Sequence, residues 1–310
     1  MVSELLREMI ILWQLQRRKT MQKRRRIWGW IFVAPQLIGL LIFAAIPLCM
    51  SFGISFHDWD GIASSMKFVG LKNYINQFTD PDFLKALMNT LVYSLIFIPI
   101  DMILALALAL AVQKIKGKTF YRLFYFMPVV TGSVSVGVIW TWLLNGDFGL
   151  VNNILGAFGI EGPQWLTDPK VVLFSIAIVS VWWNVGYNMV LLLAGLQNIP
   201  EVYFEAAQID GANKWQAFRN ITIPMLSPTL FFVLIMTIIN SFQVFDQAFV
   251  MTKGGPMKAS YTLVYHVYQN AFVDFKMGRA CAASMILFVI ILAITLIQMY
   301  GSKRWVNYEQ

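Results

Sequence analysis

Six apolar stretches punctuate the chain. Residues 27–56, 123–146, 171–200, 220–245 and 280–302 hold no Asp, Glu, Lys, Arg or His, and residues 86–113 hold one, Asp101. A helix rises about 1.5 Å per residue, so about 20 residues cross the hydrocarbon of a bilayer. Each stretch is long enough for one crossing and too short for two. The runs are continuously apolar rather than alternating, which excludes barrel strands. The pattern predicts an all-α polytopic membrane protein with six transmembrane helices, at about 28–56, 87–112, 123–144, 171–194, 225–245 and 280–300. They form one membrane domain over 27–302, between a basic segment at 1–26 and a tail at 303–310.

Composition agrees with this and closes other classes. Apolar side chains make up 58% and charged ones 13%, where a soluble chain carries roughly a quarter charged. The two cysteines, Cys49 and Cys281, lie inside apolar runs, so no disulfide scaffold is expected. The net charge of +8 is a topology signal. Sixteen Lys and Arg fall before the first span, in the second-to-third and fourth-to-fifth connections and in the tail; eight fall in the other connections. The positive-inside rule then puts both termini, and the loop at 200–224, in the cytoplasm. No basic patch sits on a folded soluble face, so no nucleic-acid partner is expected. Leu5, Leu6, Met9, Ile10, Leu12 and Trp13 precede the basic run. Three readings stay open for them: an interfacial amphipathic helix, a dispensable extension, or residues upstream of a true start at Met21. The first span is expected to stay uncleaved, since no small-residue site ends it.

Catalytic chemistry is missing. Gly117-Lys118-Thr119 has the end of a phosphate-binding loop, but Val112 stands where the leading glycine belongs and no strand precedes it. His57 and His266 are isolated, and no His/Cys/Glu set has metal-ligand spacing. No nucleophile elbow occurs. Neither metal nor cofactor is expected, and any catalysis coupled to this chain belongs to a partner.

The connection at 200–224 is more informative. Asn198 is expected to cap a short helix that begins near Pro200, with Glu201 in the first turn, where the helix dipole favours it. Gly211 supplies a left-handed stop. Asn213 caps a second helix running to about Asn220, and Pro224 ends the segment. Tyr203, Phe204, Ile209, Trp215 and Phe218 are expected to pack on the span ends, leaving the charged residues for a partner.

The run Glu205-Ala206-Ala207, then Asp210-Gly211-Ala212, then Ile221 and Ile223-Pro224, resembles the "EAA" loop of permease subunits of binding-protein-dependent ABC importers. Further stretches resemble the carbohydrate branch, in particular the first of the two permeases of the maltose, glycerol-phosphate and multiple-sugar type. They are Ser55–Asp60, Phe68–Tyr74, Trp165–Pro169, Leu193–Gln197 and Thr252–Pro256. The likeness covers about Trp30 to Tyr300. It implies the transmembrane domain of a type I importer in the cytoplasmic membrane of a bacterium. It also implies a second homologous permease, two cytoplasmic ATP-binding subunits and an extracytoplasmic solute-binding protein as partners. The loop would be a coupling helix docked on the ATPase. Glu205 would meet a basic residue there, Ala206 and Ala207 would allow close approach, Gly211 would make the turn, and Asp210 stands beside it.

Polar residues inside spans are costly and face protein or water. Asn184, Tyr187, Asn188 and Leu191 recur at helical spacing, with Trp182 and Trp183 beside them. Asn240, Gln243 and Gln247 form a second stripe, with Asp246 near its outer end. Amides pair with hydroxyls and rings stack on apolar sugar faces, so the stripes read as a carbohydrate path. The other reading is glue between helices. Asp101 reads either as the proton relay of a secondary transporter or as a group bonded to a neighbouring helix, with Pro99 kinking its own. Gly132, Ser133, Ser135 and Gly137 mark a close helix contact. The spans contain no Lys or Arg, which favours a neutral sugar as cargo over a glycerol-phosphate.

Overall fold

In the computed structural model, which describes residues 13, 21, 24–26, 28–115 and 117–307, the described part of each apolar stretch is mainly helical. The amphipathic reading of Leu5 to Leu12 lies outside these residues. The chain divides into two units, residues 1–54 and 55–310. In the first, helix α1 (Arg24–Ile54) has no buried residue in its apolar window. Its turn at Leu41–Ala45 is a π-helix, closed by the Ile46 N–H on the Leu41 carbonyl. A helix apolar on every side belongs in lipid or against other spans.

The second unit opens with a two-stranded ribbon, β1 (His57–Asp58) and β2 (Lys67–Phe68), in which His57 faces Phe68. Helix α2 (Lys72–Thr79) leads to α3 (Pro81–Gln113). Asp80 caps α3 by accepting the Asp82 N–H at 2.9 Å, and Pro81 occupies the first turn, where its missing N–H costs nothing. The cap therefore starts the helix ahead of the apolar window at 86–113.

The third expected span is not one straight helix. It is a pair, α4 (Lys118–Val130) and α5 (Ser133–Leu143), bent by 92°. Pro128 removes a backbone donor near the C-terminus of α4, and Thr131 and Gly132 take extended conformations. A short helix, α6 (Leu150–Ala157), precedes α7 (Val172–Gln197). Helix α8 (Glu201–Ile209) lies in the connection to α9 (Lys214–Phe242). Pro224 does not end a segment, as expected, but sits inside α9. A π-turn at Phe218–Thr222, closed by the Ile223 N–H on the Phe218 carbonyl, absorbs it. Then follow α10 (Asp246–Thr252), α11 (Leu263–Tyr268) with a π-turn at Gln269–Val273, and α12 (Met277–Ser302). Among the described residues five helices are long and apolar enough to cross a membrane, or six if the bent pair is one span.

Helices α3 and α7 form the central contact. Ala105 and Ala109 of α3 pack in one apolar core with Met189 and Leu193 of α7 and Leu226 and Val233 of α9. Small residues set the close approaches. A Cβ on Gly186 of α7 would stand 1.7 Å from the Tyr125 carbonyl oxygen of α4, and one on Gly137 of α5 would stand 2.9 Å from Val250 of α10. The close contact expected at Gly137 is therefore with α10. A second core joins Phe83 of α3 to Leu263 of α11 and Leu287 of α12. Asn89 of α3 donates to the Lys258 and Tyr261 carbonyls at 2.8 and 2.9 Å, which ties the loop before α11 to the same end of the bundle.

Candidate functional site

A cavity of ≈ 410 Å³ opens between α3, α4, α7 and the α9–α10 junction. Seven of the residues predicted as a solute path line it: Trp183, Asn184 and Tyr187 from α7, and Asn240, Gln243, Asp246 and Gln247 from α9 and α10. The second stripe is not on one continuous helix. Helix α9 ends at Phe242, Gln243 is its cap, and α10 begins at Asp246. The break turns amides and a carboxylate into one space that an unbroken helix would distribute around its axis. Asp246 accepts a hydrogen bond from Ser133, the first residue of α5. Trp183 donates its indole N–H to the Thr131 carbonyl at 3.1 Å, which satisfies the acceptor left free where α4 stops.

Two predicted path residues do not line the cavity. Trp182 turns to the other side of α7 and meets Trp140 edge to face at 5.4 Å. Asn188 is 2% exposed and sealed between helices. At about 100° of helix rotation per residue, Ser180, Trp183, Asn184 and Tyr187 share one face, while Trp182 falls on its far side and Asn188 beyond its edge. Other lining residues escaped the sequence reading. Tyr93 and Phe97, one turn apart on α3, stack with centroids 5.5 Å apart and planes 8° apart. Their i, i+4 spacing was the available signal. Ser180, one turn before Asn184, extends the α7 stripe.

Behind the cavity wall lies Asp101, which is 0% exposed. Its carboxylate accepts from Asn188 Nδ2 at 2.5 Å and from Asn184 Nδ2 at 3.3 Å. Asn188 Nδ2 also donates to Thr237 Oγ1 of α9 at 2.9 Å. Three helices thus meet on one polar cluster, and Asp101 has no face to the cavity. This is the helix-bonding reading of Asp101 rather than the relay reading.

The α7–α9 connection builds a rigid projection. Asn198 does not cap α8; it ends α7, and Pro200 stands at the start of α8 in extended conformation. At the other end Gly211 takes φ 77, the Gly211 N–H donates to the Gln208 carbonyl at 3.1 Å, and the Ala212 N–H to the Ala207 carbonyl at 2.9 Å. These two bonds make a Schellman stop, which needs the left-handed residue at that place. Asn213 and Gln216 exchange backbone-to-side-chain bonds at 2.9 and 2.8 Å, a full capping box for α9. Phe204 reaches the core and Phe218 rests on Trp215. Tyr203, Ile209 and Trp215, however, are 49%, 86% and 66% exposed and do not pack on span ends. Packing Phe204 inward turns them outward, beside exposed Glu205, Ala206 and Asp210.

At the opposite end of α3 a polar cavity of ≈ 500 Å³ contains His266. The ring places Nε2 2.9 Å from Gln77 Oε1 and 3.1 Å from Asn270 Nδ2, and Nδ1 3.3 Å from the Tyr261 hydroxyl. Burial pushes its pKa below the ordinary imidazole value, so the ring is held neutral.

The family model described as the binding-protein-dependent transport system inner membrane component matches residues 101–307. The chain belongs to this family. It is similar to the multiple sugar-binding transport system permease protein MsmF of Streptococcus mutans, 36% identical over 281 residues that cover 90% of this chain and 97% of the relative. It is also similar to the sn-glycerol-3-phosphate transport system permease protein UgpA of Agrobacterium fabrum, 35% identical over 285 residues that cover 91% and 97%. Its fold matches a chain of a bacterial ABC transporter involved in the import of the acidic polysaccharide alginate. That match has a TM-score of 0.79 and 22% identity, and covers 94% of this chain and 100% of the other. The chain is thus the transmembrane component of an ABC importer. As a permease it holds both the central cavity and the α8 projection inside the matched residues, with Tyr93 and Phe97 just ahead of them.

Proposed function

We propose that this permease carries a neutral carbohydrate, an oligosaccharide in particular, across the cytoplasmic membrane of a bacterium by alternating access. The observation that carries this reading is the chemistry of the central cavity. Four amides, one carboxylate and five large rings converge there, and its lining holds no Lys or Arg. Amides satisfy hydroxyl groups and rings cover the apolar faces of sugars. An anionic glycerol-phosphate would meet Asp246 and no cation. A proton-coupled mechanism through Asp101 is disfavoured, because that carboxylate is fully buried behind Asn184.

In this reading a second, similar permease completes the path, and an extracytoplasmic binding protein delivers the sugar. Two ATP-binding subunits supply the energy, so ATP hydrolysis belongs to them. Both termini and α8 lie in the cytoplasm, as the Lys and Arg bias supports. The exposed Tyr203 and Ile209 of α8, with Trp215 at the start of α9, give the projection an apolar docking surface, and Glu205 offers a charge to a basic residue of the ATPase. Closure of the ATPase pair on ATP would move α8 as a lever, and the spans would follow.

The test is reconstitution of the permease with its partners in liposomes and uptake of labelled maltotriose, raffinose, lactose and glycerol 3-phosphate. ATP-dependent uptake of a sugar, insensitive to a protonophore, is expected. Preference for glycerol 3-phosphate over every sugar would overturn the cargo. For coupling, Glu205→Ala is expected to lower both uptake and binding-protein-stimulated ATP hydrolysis. Both unchanged would falsify the lever role.

A further inference from the structure

We propose that Asp101 is a positioning residue for solute selection: it turns the Asn184 carboxamide so that the carbonyl oxygen, not the amino group, faces the central cavity. This rests on the carbohydrate reading above and adds to it the hydrogen-bond polarity of one wall of the site.

A carboxylate has no donor, so it takes only the amino edge of an amide. Asp101 takes that edge from two asparagines at once, Asn188 through one oxygen and Asn184 through the other. Asn188 is held from both sides, because its amino group also reaches Thr237 at 2.9 Å. Asn184 is different. It is half-buried, it lines the cavity, and its Oδ1 has no hydrogen-bond partner among the described residues. One amino hydrogen of Asn184 is held by Asp101, which fixes the amide so that the edge turned away from the carboxylate is its carbonyl oxygen. A sugar hydroxyl that meets this edge comes to it as a donor. A free asparagine would offer either edge. Asp101 is itself fully buried, so it acts through Asn184 and never touches the solute.

The substitution Asp101→Asn makes a sharp test. Asn188 still presents its amino group, so the new amide must give Asn188 its oxygen. Its own amino group then faces Asn184 and calls for that residue's oxygen, which turns the Asn184 amino group into the cavity. The wall changes from acceptor to donor at nearly constant volume. The double variant Asp101→Asn, Asn184→Asp restores an oxygen to the cavity, because the amide at 101 donates to one carboxylate oxygen and leaves the other free.

The reconstituted transporter is assayed with the panel sugar it imports best and with its monodeoxy and deoxyfluoro analogues. Fluorine cannot donate a hydrogen bond. At one sugar position the wild type is expected to lose about tenfold in kcat/KM, mostly through KM, with both analogues, the usual size of one hydrogen bond. In Asp101→Asn the deoxyfluoro penalty is expected to fall severalfold below the deoxy penalty, and in the double variant to return to the wild-type pattern. A role confined to holding helices together would lower stability in both variants without moving this ratio. Uptake by Asp101→Asn with the wild-type ratio at every position overturns the assignment and leaves the carbohydrate reading standing. Absence of uptake of every sugar by the wild type overturns both.

Discussion

Replacing Gly186 with Ala sets two effects of opposite sign against each other. Alanine is the better helix former in the middle of α7, by about 1 kcal/mol. The added Cβ, however, would stand 1.7 Å from the Tyr125 carbonyl oxygen and 2.5 Å from its carbon. A carbon-to-oxygen contact needs about 3.3 Å, so α4 and α7 must part by about 1.6 Å. No flexible side chain is available to yield, because the obstacle is backbone. The Trp183 indole bond to Thr131, 3.1 Å long, spans the same interface three residues away and would be stretched past use. Overpacking costs about 1–3 kcal/mol, and the lost hydrogen bond about 1 more. Destabilisation wins, by about 1–3 kcal/mol net. The control is Gly156→Ala on α6, where the added methyl meets nothing within 4 Å; it is expected to be neutral or slightly stabilising. Purified complexes heated in steps and scored for the monodisperse fraction should rank Gly156→Ala with the wild type and Gly186→Ala clearly below. Equal melting of all three would refute the close α4–α7 contact.

Two further predictions concern the ends of the bundle. Asn213→Ala removes the side-chain half of the capping box on α9, the Gln216 N–H to Asn213 Oδ1 bond, leaves the Asn213 N–H on Gln216 Oε1, and is expected to cost about 1 kcal/mol. It should show as faster amide exchange confined to the first turn of α9, and unchanged exchange there would count against the cap. For His266, burial lowers the folded pKa, so below the ordinary value of 6.5 the unfolded chain takes up a proton that the folded chain refuses. Stability from this site is then fully present above that pH and declines as pH falls through the lowered value. Melting temperatures between pH 7.5 and 5 should drop less in His266→Gln than in the wild type. An equal drop would assign the acid sensitivity elsewhere.

Much of the membrane layout was legible because hydropathy depends on composition alone. The caps at Asn213 and Gly211 were legible because they depend on local chemistry. What escaped was set by packing. Nothing local told Asn198 to end α7 rather than begin α8, nor kept Tyr203 and Trp215 off the span ends; the inward turn of Phe204 decided that. Helical periodicity put Trp182, Asn184, Tyr187 and Asn188 in one group, and tertiary contacts divided it among a Trp140 contact, the cavity and the Asp101 cluster. Tyr93 and Phe97 looked like ordinary span residues until α7 supplied the facing wall.

Hydropathy is also blind to helix breaks, and here two breaks shape the cavity proposed as the solute path. In hydrocarbon an open backbone group is expensive, so irregular backbone survives only against protein or a wet cavity. The bundle interrupts its helices at Thr131–Gly132 and at Gln243–Phe245, and both interruptions border the same cavity. Each is held by side chains from elsewhere in the bundle. Trp183 covers the Thr131 carbonyl, and Thr262 Oγ1 donates to the Val244 carbonyl at 2.9 Å. An unbroken α9–α10 would have turned Asp246 away from Asn240 and denied Ser133 its partner. The residues that stabilise the breaks are therefore the ones that give the cavity its shape. Substitutions at Thr131, Trp183 or Thr262 should alter transport before they alter membrane insertion.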